Sequence, residues 1–96
     1  MQLITWGILA MARINPYTLR MQLSRMFEQG QSFFAMTKVQ DWLRERKENP
    51  LEYDISFHQI PAPEGSDLDT IIEIELCRKD GTPVDAWLQE EINRYQ

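Results

Sequence analysis

Histidine and cysteine are nearly missing from these 96 residues, with His58 and Cys77 the single example of each. A lone cysteine cannot close an internal disulfide, and no Cys/His group has metal-site spacing, so an apolar core must hold the fold and a reduced, cytoplasmic setting is expected. An enzyme needs a nucleophile beside a base, a metal cluster, or carboxylates set apart in a cleft. His58 falls on the outer face of an expected strand, where it balances Glu73, and Cys77 has no neighbouring histidine and reads as an inert, partly buried thiol. No catalytic residue, metal ligand or cofactor is therefore assigned, and the chain is read as non-enzymatic.

Long apolar runs are lacking as well. The stretch from Leu3 to Ala12 has only about half the length of a bilayer span, and no basic region precedes it as in a signal peptide, so it is read as core with no role at a membrane. Repeats and low-complexity linkers are also absent. The whole chain, 1–96, is expected to form a single domain around one core.

What is present is a hairpin. Leu51, Tyr53, Ile55 and Phe57 alternate with Glu52, Asp54, Ser56 and His58, and Ile72, Ile74 and Leu76 alternate with Glu73, Glu75 and Cys77, which is the two-residue period of half-buried strands. The segment between them, Pro61 to Asp67, cannot continue a ladder. An antiparallel pair over about 51–60 and 70–79 follows, with one oily and one acidic face. Its register is set by charge, because pairing Asp54 with Glu75 would repel. The favoured register puts His58 opposite Glu73, Ser56 opposite Glu75, Asp54 opposite Cys77 and Glu52 opposite Lys79.

Helical periodicity supplies the cover. Asn15-Pro16 opens a helix over about 16–29 that buries Leu19, Leu23, Met26 and Phe27, with Met21 on a flank and Arg20, Gln22, Arg25 and Glu28 outward. Thr37 and Gln40 form a capping box for a helix over about 38–48 that buries Val39, Trp42 and Leu43, and Phe33 to Met36 tuck into the core before it. Thr82 and Pro83 open a last helix, 83–95, burying Val84, Trp87, Leu88, Ile92 and Tyr95. Residues 2–9 form a run too short and too uniformly apolar for periodicity to choose between buried strand and buried helix, and are read as a strand joining the sheet. The expected fold is α+β: two layers, helices on one side of a hairpin.

Charge is divided unevenly, with +3 over residues 1–49 and −8 over residues 50–96. An acidic half disfavours nucleic acid and favours a basic protein surface. Glu52, Asp54, Glu73 and Glu75 gather on the outer hairpin face, without the Gly-containing loop of a calcium site. Such a face serves solubility first, but like charges on a small sheet cost stability, and that is the hint of a binding role. Trp6, Phe33 and Phe34 stand outside the amphipathic patterns and are candidates for an apolar interface, including a homodimer through the N-terminal strand.

The leading reading is a small acidic inhibitor or adaptor that binds a basic, nucleic-acid-handling protein. The order helix, helix, hairpin also resembles the winged helix-turn-helix layout, an analogy of element order alone. As the alternative reading, it implies a DNA-binding transcriptional regulator with phosphate contacts by Arg20, Arg25, Lys38, Arg44, Arg46 and Lys47. Acidic residues on the would-be recognition helix (Asp41, Glu45, Glu48) and on the wing (Glu64, Asp67, Asp69) oppose it.

Overall fold

Alternating apolar residues in two runs joined by a Pro/Gly-containing loop do fold as a hairpin, and the amphipathic runs around it fold as helices on one of its faces. The computed structural model describes residues 14–96, so the strand expected over 2–9, with Trp6, lies outside the described residues. Helices α1 (Leu19–Glu28), α2 (Ala35–Glu45) and α3 (Ala86–Ile92) pack against strands β1 (Tyr53–Pro61) and β2 (Thr70–Arg78), with 3-10 turns at Ser32–Phe34 and Pro50–Glu52. The fold is α+β.

The strands are antiparallel, with Asp54 opposite Cys77, Ser56 opposite Glu75 and His58 opposite Glu73. Lys79 N–H donates to Glu52 O at 2.9 Å, continuing the same pairing. This is the register expected from charge. The inner face carries the core, in which Leu23, Val39, Leu43, Leu88 and Ile92 from the helices meet Tyr53, Ile72, Ile74 and Leu76. A second cluster forms at the loop end, where Ile60 and Ile71, paired with each other, are covered along with Met21, Leu68 and Tyr95.

Several boundaries differ from expectation for local reasons. Asn15 does not cap α1: its side chain accepts from Tyr17 N–H at 2.9 Å and closes a turn, and Thr18 caps the helix by accepting from Met21 N–H at 3.4 Å. Met21, expected on a flank, is buried because that second cluster widens the covered face of α1. Gly30 (φ 73°) ends α1: Gln31 N–H reaches Met26 O and Gly30 N–H reaches Phe27 O, a Schellman stop that needs a left-handed residue.

The second helix begins earlier and ends earlier than its expected 38–48. It runs on directly from the Ser32–Phe34 turn, so Thr37 sits inside the helix and the expected capping box does not form. It stops at Lys47 (φ 62°), where Lys47 N–H bonds Arg44 O and Glu48 N–H bonds Leu43 O. Trp42 is only half-buried. The last helix starts at Ala86 because Thr82 is engaged elsewhere: its amide and hydroxyl both donate to Asp80 Oδ1, at 3.0 and 2.6 Å, holding the Asp80 carboxyl below the usual range. Leu88 and Ile92 are buried, whereas Trp87, about a quarter turn off their stripe, is 54% exposed instead of buried. Leu51, drawn into the Pro50–Glu52 turn, is exposed too.

Candidate interaction surfaces

The outer hairpin face follows from strand parity. With the inner set committed to the core, Asp54, Ser56 and His58 on β1 and Glu73, Glu75 and Cys77 on β2 all face the other way, and all are exposed. Glu52 joins them from the 3-10 turn. The structure thus brings the four expected carboxylates to one surface that no described element covers. His58 Nε2 bonds Glu75 Oε1 diagonally at 3.0 Å, so the expected His58–Glu73 balance is replaced by His58–Glu75. Cys77, expected to be partly buried, is exposed. Among the described residues no three His, Cys, Asp or Glu side chains gather as a metal site.

Phe33 and Phe34, expected either to tuck into the core or to form an apolar interface, lie outside the core. They are 72% and 52% exposed, with ring centroids 4.2 Å apart, in the turn between α1 and α2. That turn belongs to the helical layer, where it packs mainly against α1 and α2, and Ala35 is the residue of this stretch that takes the buried position. The two sets of candidate residues therefore form two surfaces.

The basic residues of the DNA-binding alternative are mostly occupied. Arg20, expected to point outward, is 7% exposed and lies against the sheet. Arg25 bonds both carboxylate oxygens of Asp67 at 3.1 and 3.2 Å, and Arg44 pairs with Asp41 at 3.0 Å. The Arg46 guanidinium stacks 3.7 Å from the Trp42 ring centroid, beside a cleft of about 390 Å³ between the helices that carries charges of both signs. Lys38 and Lys47 are exposed and have no ion pair among the described residues. No protein-family model, curated protein or solved structure matches this chain.

The residues that sequence reasoning missed lie along the outer edge of β2. Ile72 N–H donates to Ser24 Oγ at 2.8 Å, and Ile72 O accepts from Arg20 Nε at 2.6 Å. Ile74 N–H donates to Asn93 Oδ1 at 2.7 Å, and Ile74 O accepts from Asn93 Nδ2 and Gln89 Nε2, each at 2.7 Å. Leu76 N–H donates to Gln89 Oε1 at 3.1 Å. Side chains of α1 and α3 thus do what a third strand would do. Arg20 also donates to Asn93 O at 3.0 Å, tying the two helices together. Burial lowers the Arg20 pKa from the usual guanidinium range, with Glu73 and Tyr95 acting against the shift. A sequence signal for this was there: Arg20/Ser24 and Gln89/Asn93 are polar pairs at i, i+4 beside apolar stripes.

No described helix is long and apolar enough to cross a membrane.

Proposed function

We propose that the protein is a non-enzymatic, cytoplasmic binding domain that presents the acidic outer face of its hairpin to a basic surface of another protein, as an inhibitor or adaptor. One observation carries this reading: Glu52, Asp54, Glu73 and Glu75 share an open sheet face on which carboxylates outnumber basic groups, with His58 bonded to Glu75 and Lys79 opposite Glu52 in the ladder. Like charges so placed weaken the free domain by a few tenths of a kcal/mol per close pair, so the face is costly unless something basic uses it. A basic, nucleic-acid-handling protein is the partner class that the charge fits. The Phe33/Phe34 surface supplies a second, apolar contact to the same or another partner.

The test is affinity capture from native lysate with the wild type and a Glu52→Gln/Asp54→Asn/Glu73→Gln/Glu75→Gln variant. The variant is expected to lose the basic partners while gaining about 0.5–1 kcal/mol in stability from relieved repulsion. Equal recovery of every partner by both proteins removes the acidic face from the reading.

A further inference from the structure

The outer edge of β1 is a ready-made half of a sheet. In an antiparallel ladder, residues directly opposite either both point their backbone groups at each other or both point them away. Ile72, Ile74 and Leu76 point away from β1, since their amides bond Ser24, Asn93 and Gln89. Their partners Gln59, Phe57 and Ile55 therefore point away from β2. Among the described residues nothing bonds the amides or carbonyls of these three. No bulge interrupts β1, and its proline, Pro61, stands only at its last position.

We infer that this edge pairs with the same edge of a second copy of the chain, forming a two-fold dimer with a continuous antiparallel sheet. A two-fold contact must be self-complementary, and one register satisfies that condition in both backbone and charge. With the axis at Ser56, the hydrogen-bonded pair becomes Ile55 with Phe57 of the second copy, twice over by symmetry, flanked by Gln59 donating to the Tyr53 carbonyl, since Tyr53 N–H is taken by Pro50 O. Between them, Asp54 faces His58 of the second copy, twice over by symmetry. Moving the axis so that Ile55 faces itself sets Asp54 against Ser56, and moving it so that Phe57 faces itself sets Asp54 against Ile60; each loses both Asp54–His58 contacts. The inner face supports the same occupant. Ile55 and Phe57 stay half-buried, whereas Ile72 and Ile74 on β2 are 1% and 0% exposed, because the helices lie over β2. Extending the sheet past β1 sets Ile55 and Phe57 against each other across the axis. It also merges the two acidic faces into one, though the inference does not depend on the binding role proposed for them.

Sedimentation equilibrium of the full chain from about 10 μM to about 1 mM is expected to show a rising dimer fraction. Gln59→Pro removes an outward N–H and no bond of the β1–β2 ladder, and should weaken the dimer about tenfold or more. Register is read by cross-linking in a Cys77→Ser background. Ser56 meets its own copy at about 4.5 Å between Cα atoms, so Ser56→Cys should close a disulfide on mild oxidation, and Asp54→Cys should not. If Gln59→Pro does not fold, the Ser56→Cys result decides. A chain still monomeric at the top concentration, a dimer that gives no Ser56→Cys link, or a dimer indifferent to a folded Gln59→Pro variant overturns the inference. So does hydrogen exchange showing the Ile55 and Phe57 amides already protected in dilute monomer, since the edge would then be filled from within.

Discussion

The two edges of the hairpin are built to opposite plans. Along β2, backbone groups of Ile72, Ile74 and Leu76 are met by Arg20, Ser24, Gln89 and Asn93, so the edge offers little to an incoming strand. Along β1, Ile55, Phe57 and Gln59 have no such partners among the described residues. The difference traces to where the helices lie. With α1 and α3 set against β2, their flanking polar side chains reach its edge and cannot reach that of β1. A sheet edge can be protected without a strand, but only on the side where helices run close enough for Arg, Ser, Gln and Asn to span the gap.

The sharpest test of this contrast is Arg20. Replacing it by methionine keeps much of its volume but removes the donors to Ile72 O and Asn93 O, leaving a buried carbonyl unpaired. Bonds from a charged donor are the stronger kind, so urea unfolding should show a loss of about 3 kcal/mol. A loss under about 1 kcal/mol would mean that the β2 edge bonds are incidental, and the contrast between the edges would fail.

Asn93→Ala comes next, at about 2 kcal/mol, because Asn93 both accepts from and donates to Ile74. Gln89 donates to the same carbonyl, so the two residues share a partner. The double variant with Gln89→Ala should depart from additivity by about 0.5–1 kcal/mol in a denaturation cycle, whereas additive losses would show that each amide acts alone.

Much of the hairpin was legible beforehand, and the edge was not, for the same reason. Period-two alternation is a property of consecutive residues, and adding the charges of Asp54, His58, Glu73 and Glu75 was enough to select the register. Arg20 was assigned to solvent because charge on a helix flank is usually solvated. Only knowledge of what lies beside that flank makes it a capping group for Ile72. Helix starts failed similarly, since Asn15 and Thr82 are sound caps in isolation but were claimed by nearer donors at Tyr17 and by Asp80. Hydrophobicity alone left Phe33 and Phe34 between core and interface, because nothing in the pattern shows that Ala35 holds the buried position of that turn. The acidic face needed only parity to be found; its partner is not encoded in any pattern of residues.

At the start of β1 a side-chain bond ties the strand to the turn that follows α2. The Tyr53 hydroxyl donates to Glu48 Oε1 at 2.5 Å, and burial together with that bond pushes its pKa up to about 12. Tyr53→Phe should cost about 1 kcal/mol near neutral pH. Because the folded pKa lies above the unfolded one, the contribution is complete below about pH 10 and is lost as pH rises toward 12. Unfolding measured at pH 8 and pH 11 should therefore show the deficit of Tyr53→Phe shrinking at the higher pH; a deficit that stays constant would detach the tyrosine from this bond.

The smallest expected effect is the one that completes the contrast. Gln59 is exposed, its register partner is Ile72, and its side chain makes no bond among the described residues, whereas Asn93 sits at the corresponding edge of β2 with both its amide atoms engaged. In dilute protein, where association through β1 is negligible, Gln59→Ala should change stability by less than about 0.5 kcal/mol. Backbone exchange gives the same answer without mutation. The Ile74 amide, bonded to Asn93, should open only with global unfolding, and the Phe57 amide directly opposite it should exchange by small local motions, many times faster. Two residues facing each other in one ladder, both with amides turned outward, would then differ only in whether a helix side chain reaches them. Equal protection at both positions in dilute protein would show that the β1 edge is covered after all, and the asymmetry would be erased.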